Sequence, residues 1–442
     1  MSSEPLSIGR LRGRLDATVT VPGSKSITNR ALVCAALAEG TSRLEGALQA
    51  DDTEAMIDGL GALGVAVERD WATSTLTVEG TAGHPVSDVA LVDARLSGTT
   101  SRFLLPLAAL GDGLRRVDGA GRLRERPMGP ALDALRALGA DVHDVGGPGH
   151  LPVELVGGTL AGGEVAISGD VSSQFLSGLL LAAPAMRTGL LVRVTTELVS
   201  RPYVDMTVAV MEAFGVTVER PDESTWVVEP QTYRATTYAI EPDASAASYF
   251  FAAAAVVGGR VTVDGLGTPS LQGDLDFVDL LGEMGASVER GSSSTTVEAT
   301  PPLHGIEADM SQISDTAQTL AVVAAVADGP TRVTGIGFIR GKETDRVGAV
   351  VTELRRAGID ASEEADGFVI QPGRPQPALI ETYDDHRMAM SFALLGLTAD
   401  GIRIADPGCV AKTFPGYWAM LDQLRAQTAP DAPVPGDNVP PS

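Results

Sequence analysis

Polar or acidic openings followed by continuous Ala/Leu-rich stretches recur along this chain, and each stretch leads through a glycine-containing or polar turn into a β-branched run. Six such segments begin near Ser26, Thr99, Ser172, Ser245, Asp315 and Asp385, at separations of 73, 73, 73, 70 and 70 residues. That regularity marks an internal repeat. A second apolar-periodic helix in each unit gives an independent check. The stretches LGALGVAV, LRALGADV, MEAFGVTV, LGEMGASV and LRRAGIDA place glycines at 64, 139, 215, 285 and 358. Glycine just past a helix end accepts the left-handed conformation without a Cβ clash, so these five read as C-caps. Each unit therefore reads as strand, helix, strand, helix and two strands. The sixth has only the helix over residues 417–424 and stops; residues 6–21 are expected to supply its missing strands.

Six βαβαββ units over 442 residues predict an α/β protein of two pseudo-threefold domains, three units in each. One domain is expected to combine residues 1–22 with 243–428, and the other to span 23–242, with crossings at 21–23 and near Glu241. The Pro-rich segment 429–442 is expected to be a disordered tail. Hydrophobic residues make up 44% and charged residues 20%, a globular composition with no apolar run of the roughly 18 residues that suggest a membrane span. Residues 1–14 show no signal-peptide pattern. Cys34 and Cys409 are the only cysteines, and neither fits a disulfide framework or a zinc cluster. A cytoplasmic protein without metal or other cofactor is expected.

The formal net charge is -24, which argues against nucleic acid or an anionic membrane as partner. An anionic ligand must then meet a locally positive pocket. Of the 33 basic side chains only Lys25, Lys342 and Lys412 are lysine, and all three fall in polar loops at predicted helix starts. A compact ammonium is not replaceable by a planar guanidinium where fit or pKa matters, so all three read as functional. The first helix of each unit opens on polar residues, where free N–H groups and the macrodipole attract anions. Serines there serve as N-caps or as ligand contacts; Ser245 reads as a cap. Caps do not explain Lys25, Arg30, Arg102, Arg126, Lys342, Arg346, Arg387 and Lys412, whose convergence would be costly without bound anions.

Nine segments then resemble the EPSP synthase family: PGSKSITNR (22–30), SGTTSRF (97–103), RERPMGP (124–130), VSSQFLSGLL (171–180), VSRPYVDMT (199–207), ISDTA (313–317), RGKETDR (340–346), DDHRMAM (384–390) and AKTFPGY (411–417). They run in order over nearly the whole chain. The resemblance implies an inside-out α/β barrel fold in two domains that close on the substrates, and a monomer that transfers an enolpyruvyl group from phosphoenolpyruvate to shikimate 3-phosphate. It implies shikimate 3-phosphate contacts at Lys25, Ser26, Arg30, Ser172, Ser173, Gln174, Ser200, Asp315 and Lys342. The phosphoenolpyruvate contacts implied are Lys25, Gly98, Arg126, Gln174, Arg346, Arg387 and Lys412. By the same resemblance glyphosate competes with phosphoenolpyruvate. Hydroxyls suit a phosphate and sugar-like hydroxyls, and arginine forks suit carboxylate and phosphate. Tyr203 packs on the shikimate ring or is an ordinary rim tyrosine. Two departures from the family pattern are Leu96 and Ser97 before Gly98, where Asn-Ala is common, and Phe338, where an asparagine often stands.

The reaction needs a proton donor to the methylene carbon and a base at the 5-hydroxyl. Asp315 is the candidate base, Glu343 the candidate acid, and Lys25 a second proton-transfer candidate. The bland reading of Glu343 is an exposed glutamate favoured by the helix dipole. His386 either contacts the phosphoenolpyruvate site or orients its loop; His84, His143, His150 and His304 read as surface or turn residues. GSKS lacks a full phosphate loop. The alternatives are an enolpyruvyl transferase acting on UDP-N-acetylglucosamine, disfavoured because no cysteine lies between 34 and 409, and a noncatalytic anion-binding repeat protein.

Overall fold

The computed structural model describes residues 4–429 except 86, 88 and 159. The predicted first helices are α1 (Lys25–Leu37), α3 (Gly98–Leu110), α5 (Ser173–Ala182), α7 (Ala244–Val257), α9 (Ala317–Ala325) and α11 (His386–Thr398). The second helices are α2 (Asp51–Ala62), α4 (Gly129–Ala137), α6 (Pro202–Ala213), α8 (Phe277–Glu283), α10 (Arg346–Arg356) and α12 (Tyr417–Ala426). All six first helices begin within two residues of the positions that the repeat predicts. The five C-cap glycines have φ of 90°, 93°, 82°, 104° and 78°, the left-handed region in which a side chain is strained.

Beyond their polar openings the first helices are apolar on every face, and the structure buries them on every face. α1, α3 and α5 pack on one another, as do α7, α9 and α11. A helix hydrophobic all round belongs inside, so each helical triplet is the interior of its half and the sheets lie outside it. Strands such as Thr41–Glu45 and Val89–Asp93 alternate buried and exposed residues, as expected with one face packed inward and one solvated. Two cores result. One is built from residues between Ile27 and Ile240, and the other from Ile8 to Val21 together with Ala244 to Leu424.

Among the described residues there are six sheets, four of four strands, one of five and one of three. In each, the strand that leads a unit pairs parallel with the strand after the first helix. Units one and four exchange these leading strands. Arg14–Val19 precedes α1 but pairs with Gly259–Asp264, while Thr237–Ala239 precedes α7 but pairs with Thr41–Glu45. The expectation for residues 6–21 is therefore corrected. Only Leu6–Ser7 completes the sixth sheet, antiparallel to Ile402–Ile404. Arg14–Val19 leads the fourth instead, because Leu15, Ala17 and Val19 point into that core. Ala429 is likewise not tail but strand, with Thr428–Ala429 paired to Arg14 and Leu15; residues 430–442 lie outside the described residues.

The chain crosses twice between the cores, and the crossings touch. Gly23 bridges Pro242, Ser24 N donates to Glu241 O at 2.7 Å, and Asp243 N donates to Pro22 O at 2.8 Å. A Cβ on Gly23 would lie 1.9 Å from Gly46 O, so only glycine lets this crossing pack so closely on the turn after Thr41–Glu45. The exchange sets the first turns of α1 and α7 side by side, and Lys25 N donates to Asp243 Oδ2 at 3.0 Å.

Candidate active site

Five of the six first helices begin on side-chain caps, three of them two residues before the expected position and two at it. Ser24, Ser97 and Ser172 cap α1, α3 and α5; Asp243 and Asp385 cap α7 and α11. Ser245 is thus not a cap: its hydroxyl bonds Asp274 and lies 3.4 Å from Arg387 Nη2. Capping by the preceding residue frees the next ones to face the space between the helix ends.

That space is a polar cavity lined by Lys25, Asp52, Gly98, Thr99, Arg126, Gln174, Asp315, Lys342, Glu343, Arg346, His386 and Arg387. Its hub is Arg346 at the start of α10, 2% exposed. The guanidinium holds Asp385 Oδ2 at 2.8 Å, Glu343 Oε2 at 2.9 Å and Asp315 Oδ1 at 3.1 Å. Arg387 Nη2 reaches Asp315 Oδ2 at 2.6 Å, and Arg126 Nη1 reaches Glu343 Oε1 at 3.5 Å. Lys412 Nζ donates to Leu96 O at 2.7 Å and lies 3.5 Å from both Glu343 and Asp52. Lys25 Nζ lies 3.5 Å from the other Asp52 oxygen. Arg102 Nη1 donates to Gln174 Oε1 at 2.7 Å.

The expected crowd of unbalanced cations is corrected in two ways. Arg30 is not among them. Its nitrogens donate to Ser26 O, Tyr203 O and Thr207 Oγ1, and its guanidinium lies over the Phe103 and Tyr203 rings. Of the other seven, Lys25, Arg126, Arg346, Arg387 and Lys412 pair with Asp52, Asp315, Glu343 and Asp385, while Arg102 bonds Gln174 and Lys342 lies over the Phe338 ring. Alternating signs recover much of the desolvation cost, and the set keeps three more positive than negative groups.

Burial pushes the Asp315 carboxyl up, but Arg387, Lys342, Arg346 and Lys25 outweigh it and hold the group below the ordinary carboxylate range. Glu343 behaves alike: burial raises it, while Arg346, Arg126 and Lys412 bring it well below its usual value. Both acids are ionised in this state. Burial lowers Lys342 to about 8, with Arg346 and Arg126 adding to the effect against Asp315. Burial also lowers Lys412, yet Asp52 and Glu343 raise it overall. His386 is held neutral by burial and by Arg387, and neither ring nitrogen has a hydrogen-bond partner.

Six of the seven residues expected on the phosphoenolpyruvate side line the cavity, and the seventh, Lys412, reaches two of its carboxylates. Of those expected for shikimate 3-phosphate, Lys25, Gln174, Asp315 and Lys342 line it, and Ser26 lines the adjoining hollow with Ser245 and Arg387. Ser172 and Ser173 are buried at the start of α5. Ser200 sits on a left-handed backbone, φ 53°, and donates its N–H to Ser311 O of the other half at 3.0 Å. Tyr203 gives its hydroxyl to Asp274 at 2.9 Å, with Asp315 at 3.3 Å. Phe338 lies under the Lys342 ammonium, 5.7 Å from ring centre to nitrogen, a cation–π contact in place of a hydrogen bond. Sequence reasoning missed Asp52 and Asp274. Asp52 hides in an acidic helix start that looks like dipole compensation, and Asp274 lies in a turn outside every recognised motif.

The thiols are unlike reactive ones. Burial pushes both Cys34 and Cys409 up to about 12, far from the thiolate a nucleophile needs. The four remaining histidines are exposed or half-buried, as expected.

The family model for EPSP synthase (3-phosphoshikimate 1-carboxyvinyltransferase) matches residues 10–421. The 3-phosphoshikimate 1-carboxyvinyltransferase of Trichormus variabilis is 44% identical over 425 residues, covering 96% of this chain and 100% of that protein. The protein of the same name from Methanoculleus marisnigri is 44% identical over 92% of this chain and 97% of its own length. In three dimensions, EPSP synthase from Acinetobacter baumannii superposes with a TM-score of 0.81 at 27% identity, covering 96% of this chain and 98% of that one. With nearly the full length matched in sequence and in fold, this chain belongs to the EPSP synthase family.

Proposed function

We propose that this chain transfers the enolpyruvyl group of phosphoenolpyruvate to the 5-hydroxyl of shikimate 3-phosphate, giving 5-enolpyruvylshikimate 3-phosphate and phosphate. The observation that carries this reading is the Arg346 hub, which sets two acids of separable role inside one cluster of cations. Family membership supplies the substrates. Ser26, Ser172, Ser173, Gln174, Ser200 and Lys342 are assigned to shikimate 3-phosphate, with Arg30 acting there by ordering α1 against α6. Gly98, Arg126, Arg346, Arg387 and Lys412 are assigned to phosphoenolpyruvate, and Lys25 and Gln174 to both.

Chemically, a proton adds to the methylene carbon of phosphoenolpyruvate, and the neighbouring carbon gains positive charge. The 5-hydroxyl oxygen bonds to that carbon while its proton passes to Asp315. The tetrahedral intermediate then expels phosphate and loses a methyl proton, restoring the vinyl group. Glu343 starts as a carboxylate because Arg346, Arg126 and Lys412 surround it. The carboxylate and phosphate of the substrate take up those cations, which raises Glu343 toward a proton-carrying state. Lys25 is kept as the second proton-transfer group, and the unpartnered His386 ring supports a contact with substrate over a loop-orienting role.

The division into 1–22 plus 243–428 and 23–242 is the proposed domain boundary, supported by the two cores. Among the described residues no helix is long and apolar enough to cross a membrane; a cytoplasmic monomer is proposed. Phosphate release that depends on both substrates tests the activity. Release with UDP-N-acetylglucosamine as acceptor, or none with either, would overturn it.

A further inference from the structure

Asp274, in the turn Gly273–Asp276 ahead of α8, is 4% exposed. Its Oδ2 accepts from Tyr203 Oη at 2.9 Å and from Ser245 Oγ, while its Oδ1 is buried and receives no donor. Among the described residues no lysine, arginine or histidine nitrogen lies within 4.0 Å of it. Arg387, the cation that acts on it, is spent on Asp315, and Arg290, behind the turn, is spent on Asp276 and Asp279. Tyr203 Oη also stands 3.3 Å from Asp315 Oδ2. Two carboxyl groups are thus joined through one hydroxyl that has a single hydrogen to give. Asp315 holds the cations and keeps its charge. Asp274 has a bare buried oxygen, which is costly for an ion and tolerable for an acid.

We propose that Asp274 is a proton-holding positioning residue, which gains a proton from solvent as the acceptor substrate binds and thereby turns the Tyr203 hydrogen onto Asp315. One O–H bond forms on Asp274, and no other covalent bond changes. As an acid, Asp274 donates to the Tyr203 oxygen, and Tyr203 donates to Asp315 Oδ2 beside Arg387, fixing the rotation of that carboxylate. As an ion it competes for the same hydrogen. Burial and the Asp315 charge raise Asp274 to about 6, against the partial relief of Arg387, Ser245 and Tyr203. Near pH 7.5 it is therefore largely ionised before binding and has room for about one proton. An anionic ligand that covers the site and excludes water supplies the push. The inference rests on Asp315 as the base.

Titration calorimetry with shikimate 3-phosphate at pH 7.5, in buffers of different ionisation enthalpy, counts the protons taken up. The intact enzyme is expected to take up about one more than Asp274→Asn. Tyr203→Phe should keep the uptake and lower kcat more than it changes KM for the acceptor. Asp274→Ala should lose more than about tenfold in kcat, with part restored in Asp274→Asn. Equal uptake by the intact enzyme and Asp274→Asn would overturn the inference. Should that variant fail to fold, infrared difference spectra of the unaltered enzyme decide: a protonated carboxyl band must appear on binding, and its absence overturns the idea. The base assignment fails separately, if Asp315→Asn retains turnover, whatever the proton count.

Discussion

Lys412 touches a carbonyl oxygen and two carboxylates within 3.5 Å, a space filled by one tetrahedral ammonium. A guanidinium there is wider and planar, so Lys412→Arg should lower kcat/KM by about 100-fold, or ~2.7 kcal/mol, although the charge is kept. Lys25→Arg should behave alike, and near-normal steady-state turnover in both would remove the argument from lysine scarcity. At Gly98 an added Cβ would lie 2.8 Å from Arg126 Nη1. Gly98→Ala therefore pushes on Arg126, the side chain proposed to hold phosphoenolpyruvate, as well as narrowing the pocket. Glyphosate is expected to compete with phosphoenolpyruvate and to be weakened by this change more than the substrate is. Inhibition measured against varied phosphoenolpyruvate checks both points, a noncompetitive pattern counting against the placement. Lys342 sets a pH limit. Lowered to about 8, it is charged below that value and neutral above, so affinity for shikimate 3-phosphate should fall toward tenfold per pH unit above 8. Calorimetric affinities from pH 7 to 9.5 test this, and a flat profile would show that Lys342 is not a substrate contact.

The start of α11 carries Asp385, His386 and Arg387, and the approach to it is strained. Tyr383 and Asp384 both have left-handed backbones, φ 56° and 57°, which costs of order 1–3 kcal/mol per residue. Glu353 of α10, fully buried, holds the segment by accepting from Tyr383 Oη at 2.6 Å and Glu381 N at 3.0 Å. Glu353→Ala leaves both donors without that acceptor and should destabilise the protein by about 2–3 kcal/mol. It should also lower kcat, though Glu353 touches no cavity residue. Thermal unfolding and turnover measured together decide; an unchanged melting temperature would mean that the segment holds itself.

Across the molecule the halves already meet at the site. Ser200 and Arg201 N–H groups donate to Ser311 O and Gln312 Oε1, and Arg126 and Lys412 reach residues of the opposite half. These contacts are polar, and the chain itself passes between the two cores at two crossings. Shikimate 3-phosphate is expected to favour this compact arrangement by bridging both halves, with residues near Gly23 and Pro242 as hinges. Small-angle scattering should show a smaller radius of gyration at saturating ligand, and no change would count against ligand-driven closure.

The repeat, its helices and their C-caps were legible because each rests on local rules: all-round apolarity for a buried helix, and a glycine where φ must be positive. Lysine scarcity and the KETDR and DDHR segments likewise marked Lys25, Lys342, Glu343, Arg346 and Arg387 before any contact was known. What pairs with what was not legible. The exchange of Arg14–Val19 and Thr237–Ala239 between sheets leaves every strand's own pattern satisfied, so only packing chooses the partner. The neutralising role of Asp52, the withdrawal of Arg30 from the cavity and the Tyr203 bridge between Asp274 and Asp315 join residues dozens to hundreds of positions apart. Such contacts have no period in the sequence. Their charges depend on burial, and burial is a property of the tertiary structure alone.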